Sequence, residues 1–361
     1  MEVLKNSKIA LSICIPTYNR RNALERVLSC IINQIGVIEH NHSIEICVSD
    51  NASPDDTLKV VNTYAQRHAI TYRRNSTNIG AGRNFFEVAR MAKGEYIWIF
   101  GDDDILTDSA LDHLMKIIVN KRPDVIHVKA LNGNRKPIFF EWMGDDIEMA
   151  KNEYNDFIVR DNLNSLGFMA STVFRRDKVD FNYAGEIGGR TNWPHLYTIL
   201  EQCVRIEDAF LTKPLVIQLA DGDGVVRAMP VYWLIMQFEK AILLERLSRI
   251  DSIQIPKANL LLIRQLFGKA QIKELLYCKM VGSIDKLKCL IKKYTRDAMK
   301  YKFLLRLYLF IVSIVDTKMI DILLRVFLFK YNEKIRKRIF REPTEKDNEA
   351  ERLEWSQDID R

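Results

Sequence analysis

The stretch Tyr96-Ile97-Trp98-Ile99-Phe100-Gly101-Asp102-Asp103-Asp104 decides how the chain is read. Five aromatic and β-branched residues in a row, with no polar alternation, mark a strand covered on both faces. The run ends at a glycine and three consecutive carboxylates. Adjacent acids repel, and each loses hydration if even partly buried, so a strand end that concentrates them calls for a cation. Carboxylate oxygens are hard ligands that suit Mg²⁺ or Mn²⁺, and Mg²⁺ is commonly held by one or two carboxylates with substrate phosphates completing its shell. A phosphate-bearing ligand is expected. The same residues also allow a plainer arrangement, a solvated acidic turn ahead of the next helix with Thr107 or Asp108 as its N-cap.

Upstream of this strand the chain alternates strand, polar turn and helix three times. Lys8 to Pro16 reads as a strand leading through Thr17-Tyr18-Asn19-Arg20 into a helix to about Ile35, with Leu24, Val27, Leu28, Ile31 and Ile32 on one face. Ile44 to Val48, the turn Ser49 to Pro54 and a helix from Asp55 to about Gln66 repeat the pattern. Ile70 to Arg73, the loop Asn75 to Gly80 and a helix from about Gly82 to Ala92 repeat it again. Such alternation implies a doubly wound, mostly parallel α/β sheet flanked by helices, and ligands bind at the carboxyl edge of such sheets. That edge would collect Thr17, Tyr18, Asn19, Asp50, Asn51, Asn78, Arg83, Asn84 and the three aspartates. Each turn alone is common cap chemistry; four of them converging point to a nucleotide pocket. An aspartate can accept from a base N–H, and Arg83 near a helix amino terminus can face a diphosphate. Neither GxxxxGK[ST] nor GxGxxG occurs, so a kinase-like or hydride-transferring protein lacks its parts.

Four of these motifs carry a resemblance. Ser12 to Arg20, Val48 to Ser53, Asn78-Ile79-Gly80 with Arg83-Asn84, and Phe100 to Asp104 together resemble the amino-terminal half of family 2 glycosyltransferases, over roughly residues 8 to 130. The resemblance implies the GT-A fold and transfer with inversion at the sugar carbon. It also implies that Thr17 and Asn19 line the base and ribose pocket, that Asp50 contacts the base, and that Arg83 lies near the diphosphate. Asp102 and Asp104 would form the Asp-x-Asp pair on the sugar nucleotide and its Mn²⁺ or Mg²⁺, with Asp103 sharing that task. The commonest family form has Asp where this chain has Gly101, so the carboxylate that touches the metal directly stays open.

Downstream, a helix from Asp108 to Asn120, a strand Asp124 to Lys129, an insertion with Trp142, Asp145 and Asp146, and a short helix Asp156 to Leu163 are expected. Phe168 to Arg176 resembles the family's acceptor-side strand. Ile206 to Phe210 and Leu215 to Leu219 read as two strands closing the sheet. Inversion needs a base to take the acceptor hydroxyl proton. The Glu-Asp pair that supplies it in much of the family is absent, leaving His195, as base or further metal ligand, and then Glu186. A lone histidine is as readily a core or cap residue. Trp193 could stack on a sugar but suits core packing better.

A net charge of +7 is informative once located. Lys and Arg balance Asp and Glu at 34 each over residues 1–277, outnumber them 17 to 5 over 278–341, and fall to 3 against 8 over 342–361. Six scattered cysteines without a CxxC pair read as reduced core residues of a cytosolic protein, and the short apolar run from Ile9 to Pro16 is not a signal peptide. The domain reading is 1–225 catalytic (1–130 nucleotide-sugar half, 131–225 acceptor half), 226–341 basic and helical, and 342–361 a disordered acidic tail. Apolar helices rimmed by Lys and Arg in 278–341 suit an anionic membrane surface, or equally a second subunit; nucleic acid fits less well, with no binding module present. The expected partners are a nucleotide-sugar donor and a glycan or lipid-linked oligosaccharide acceptor, met by a cytoplasmic protein peripheral on the inner face of the membrane. Rival readings are a catalytically silent sugar-nucleotide-binding or membrane scaffold protein, and a sugar nucleotidyltransferase, which would need a Gly-rich triphosphate loop.

Overall fold

The computed structural model describes residues 9–38, 43–138, 145–161, 168–181, 194, 195, 198 and 205–219. Trp142, Glu186, Trp193 and the expected C-terminal helices and acidic tail lie outside these residues. The chain runs β1 (Leu11–Thr17), α1 (Arg21–Ile35), β2 (Ile44–Asp50), α2 (Thr57–Ala65), β3 (Ile70–Arg74), α3 (Ala81–Met91) and β4 (Tyr96–Ile99). It continues through β5 (Asp104–Leu106), α4 (Ala110–Asn120), β6 (Val125–Asn132), β7 (Pro137–Ile138), β8 (Ile147–Ala150), α5 (Lys151–Asp161), β9 (Thr172–Arg175) and β10 (Asp208–Gln218).

The strands form one sheet in the order β3-β2-β1-β4-β9-β6-β10-β5, with β7 beside β6 and β8 beside β10. The first four strands are parallel, and β9 enters antiparallel between β4 and β6, which restores the original direction for β6 and β10. Six of the ten strands therefore run one way, as the alternating pattern requires. Burial follows the sequence. All four residues of β4 are buried, as a continuous apolar run demands, and so are all seven of β2, Glu45, Ser49 and Asp50 among them. Leu24, Val27, Leu28, Ile31, Ile32 and Ile35 form the buried face of α1, and each such side chain contributes about 1.5–3 kcal/mol on leaving water. Where β4 begins is set from below: Gly94 N–H donates to Ser12 Oγ at 2.8 Å, and Ser12 donates in turn to Glu45 at 2.5 Å. A Cβ at Gly94 would meet the Ser12 backbone, so the turn admits no side chain.

The structure departs from expectation past the acids. Asp104–Leu106 is a strand, antiparallel to the end of β10, and it draws Thr107 into that ladder: Thr107 N–H donates to Leu215 O at 2.9 Å and its hydroxyl to Pro214 O at 3.1 Å. Neither Thr107 nor Asp108 caps α4; Ser109, at φ 57°, precedes it. The two expected closing strands are one, β10, whose register with β6 shifts on both sides of Pro214. A proline has no N–H to give a ladder, so the strand bulges there and continues. The helix expected from Asp156 starts at Lys151, against the unexpected edge strand β8.

Candidate active site

β1, β2, β3 and β4 end side by side, with Thr17 opposite Asp50, and Asp50 opposite Arg74. The turn after β4 brings the acids to this edge. Asp102 is 7% exposed and each of its oxygens has a partner: Thr17 Oγ1 donates to Oδ2 at 2.8 Å, and Arg20 Nη1 donates to Oδ1 at 3.1 Å. The same nitrogen reaches Asp103 Oδ2 at 2.8 Å. Burial pushes the Asp102 carboxyl up to about 6, and Asp103 adds to the push; Arg20 and Thr17 oppose it without cancelling it. Asp102 in turn raises the Arg20 guanidinium above its ordinary value. One guanidinium nitrogen thus serves two carboxylates.

Asp104 is 3% exposed and sits at the start of β5 opposite Gln218. Its carboxylate folds back beside Gly101, in the space a Cβ at that position would take. At the position where the resemblance would put an aspartate, the space beside Gly101 is taken by the third acid.

Asp50 has no exposed surface. Its Oδ2 accepts from the Tyr72 hydroxyl at 2.7 Å and from Arg74 Nη1 at 3.2 Å, and its Oδ1 accepts from Ser53 N–H at 2.7 Å. Burial, then the hydrogen bond to Asp50, pushes the Tyr72 phenol up to about 12. Asn19, at φ 54°, leaves its side chain exposed while its N–H donates to Ser53 Oγ at 2.9 Å. A chain of amides fixes the loop before α3. Asn51 donates to Asn78 at 2.7 Å and accepts from Asn75 and from Ile79 N–H, and Asn75 also donates to Asn84, which accepts from Ser49 at 2.7 Å. Gly80 takes φ 85°, a conformation open to glycine, and delivers α3 with Arg83 half-buried in its first turn.

The structure thus brings Thr17, Asn19, Asp50, Arg83 and the three aspartates to one sheet edge. Thr17, expected against base and ribose, is 2% exposed and gives its hydroxyl proton to Asp102. His195 is buried, its ring centroid 6.2 Å from that of Phe85 on α3. Three partners went unread in the sequence: Arg20, Tyr72 and Arg74. Arg20 had a signal. It immediately precedes α1, whose first turn has no acid, and a cation at a helix amino terminus is unfavourable unless a carboxylate elsewhere offsets it.

Whether these residues fit a divalent cation follows from their chemistry. Among the described residues no three His, Cys, Asp or Glu side chains form a ready-made cage. Hard oxygen donors, a carboxyl raised first by burial and then by its neighbour Asp103, and two buried acids fit the Mg²⁺ or Mn²⁺ pattern in which a diphosphate supplies the remaining ligands.

Comparison with known proteins agrees with this geometry. Residues 12–181 match the family described as glycosyl transferase family 2. Over 240 residues the chain is 32% identical to abequosyltransferase RfbV of Salmonella typhimurium, covering 59% of this chain and 68% of that protein. Over 108 residues it is 36% identical to the GalNAc(5)-diNAcBac-PP-undecaprenol beta-1,3-glucosyltransferase of Campylobacter jejuni, covering 29% of this chain and 33% of that one. The crystal structure of S. aureus TarS 1–349 in complex with UDP-GlcNAc superposes with a TM-score of 0.62 at 16% identity, covering 88% of this chain and 92% of that chain, a likeness of fold. With motif order, sheet edge and relatives in agreement, the fold is GT-A and the chain belongs to the family 2 glycosyltransferases.

Proposed function

We propose that this chain is an inverting glycosyltransferase that moves a sugar from a nucleotide donor to a hydroxyl of a surface-polysaccharide precursor. The observation that carries the reading is the common edge at which Asp50 ends β2, Asp102 follows β4, and Asn19 and Arg83 flank them. Asp50 contacts the base; its carboxylate has no exposed surface, so the contact requires the groups that cover it to shift, and Oδ1, with Ser53 N–H as its one donor, can then take a second. Asn19 borders the ribose, and Arg83 faces the diphosphate from the positive end of α3. Asp102 and Asp104 hold Mn²⁺ or Mg²⁺, with Asp103 beside them on the sugar nucleotide. When bound, the cation offsets charge that develops on the departing diphosphate, the main electrostatic demand of the reaction. The proton of the acceptor hydroxyl goes to His195, first by its place in the chain, or to Glu186.

The acceptor is a lipid-linked glycan, in keeping with the undecaprenol-linked glycan in the name of the Campylobacter relative and with the basic block at residues 278–341. Among the described residues no helix is long and apolar enough to cross a membrane. The protein then works as a peripheral one on the cytoplasmic face, its region 226–341 meeting anionic lipid or a second subunit and its residues 1–225 doing the chemistry. Flotation with anionic liposomes of the full chain, against a chain ending near residue 277, tests that part. For the activity, the chain is incubated with Mn²⁺, a panel of nucleotide sugars and lipid-linked acceptors, and the product's anomeric configuration is read by NMR. Transfer with inversion that disappears in Asp102→Asn supports the proposal. Nucleotide-sugar binding without turnover on any acceptor favours a silent binding protein, and pyrophosphate release from a nucleoside triphosphate favours a nucleotidyltransferase.

A further inference from the structure

Arg20 is the cation this corner already contains, and its setting differs from that of a structural clamp. A single nitrogen, Nη1, serves both Asp102 and Asp103, so the guanidinium is not engaged in the two-pronged geometry that gives arginine–carboxylate pairs their strength. Its side chain is 40% exposed, whereas that of Asp102 is 10% exposed and is also held by Thr17. The acid is held from two sides, whereas the guanidinium is held through one nitrogen and is partly exposed. Arg20 also stands directly before α1, at the end of the helix that repels positive charge. Among the described residues, Asp102 and Asp103 are the acids that offset its charge there.

From this arrangement, and resting on the donor-site reading above, we propose that Arg20 is a built-in counter-ion that competes with the divalent cation for Asp102 and, once displaced, pairs with the donor's diphosphate. Both cations draw on the Asp102 carboxylate, whose Oδ1 already accepts from Arg20, and two positive groups beside one carboxylate repel each other. A divalent ion alone gains the acids but must expel the guanidinium into water. A divalent ion arriving with a diphosphate gains the acids and offers the guanidinium a new anionic partner, since its remaining N–H donors suit phosphate oxygens. The acidic corner thereby takes up its cation together with the donor and resists the free ion. Arg20 is a positioning residue for this site: it sets the order and strength of cation uptake.

The test measures binding with no turnover required. Wild type, Arg20→Met and Arg20→Lys are titrated with Mn²⁺ alone, followed by the electron paramagnetic resonance signal of the free ion. They are then titrated calorimetrically with UDP, CDP, GDP and dTDP, with and without Mn²⁺. Arg20→Met should bind Mn²⁺ alone about ten-fold more tightly than wild type or Arg20→Lys, and bind the preferred nucleoside diphosphate without metal about ten-fold more weakly. Far-ultraviolet circular dichroism and melting temperature establish that each variant is folded, and Arg20→Gln replaces Arg20→Met if that variant does not fold. Equal or weaker Mn²⁺ affinity in a folded Arg20→Met overturns the proposal. If wild type binds a diphosphate with Mn²⁺ and Arg20→Met gains nothing, only the counter-ion role falls. If none of the proteins takes up Mn²⁺ or any of the four nucleotides, the donor-site reading falls with it.

Discussion

Thr17 and Asp102 are 85 residues apart in the chain and joined by a 2.8 Å hydrogen bond, which ties the end of β1 to the acid that follows β4. With Arg20 on the other oxygen, the bond fixes the plane of the carboxylate. Thr17→Val keeps the shape and removes the donor, leaving a buried carboxylate oxygen without its partner. Stability should fall by about 1–3 kcal/mol in a urea titration, and the donor KM should rise roughly ten-fold. Thr17→Ser, which restores the hydroxyl, should recover most of both.

Asp50 is held on three sides by Tyr72, Arg74 and Ser53. Asp50→Asn turns an acceptor into an amide N–H, so either Arg74 and Tyr72 or the Ser53 N–H meets a donor, and Arg74 loses its counter-charge. A loss of about 1–3 kcal/mol in stability is expected, with a drop of ten-fold or more in nucleoside diphosphate affinity by calorimetry. Tyr72→Phe removes one bond and leaves the ion pair, and should cost about 1 kcal/mol and only a few-fold in affinity.

Gly101→Ala places a methyl group against Asp104 Oδ2, the far end of a side chain that can turn away. Its melting temperature should stay within about 5 °C of wild type while kcat falls at least ten-fold, because the acid moves and the sheet does not. Asp104→Asn should lose activity by a similar mechanism, and the double variant should lose less than the two effects combined.

His127 on β6 is buried, packs edge-on to Phe157 with ring centroids 5.3 Å apart, and is pushed down to about 3, first by burial and then by the charge of Lys129. In the unfolded chain an ordinary histidine titrates near 6.5 and takes up a proton below that pH, while the folded chain does not until about 3. Its contribution is therefore intact above 6.5 and is lost progressively as pH falls toward 3, by up to about 1.4 kcal/mol per pH unit. Urea midpoints at pH 7 and pH 5 should differ less in His127→Gln than in wild type.

The amino-terminal half of the fold could be read because its signals are local. The face of α1 repeats at helical spacing, β4 is a short unbroken apolar run, and β2 is an apolar segment interrupted by Glu45, so their types follow from period, length and flanking turn residues together. The convergence of Thr17, Asp50, Arg83 and the aspartates followed from one topological rule. What escaped reading depends on distant partners. A three-residue strand such as β5 has no period to detect, and β10 looks like two strands because Pro214 interrupts a ladder whose other half is β6. Thr17 and Arg20 were legible as a motif, but that both are directed at Asp102 is decided by the pairing of β1 with β4.

The missing side chain at Gly101 extends beyond this one site. Any signature that requires an acid directly after the phenylalanine would pass over this chain, although acids stand at the next three positions and one of them folds back into the vacated space. In this chain the glycine and the acid three places on mark the corner more directly than the group missing at position 101.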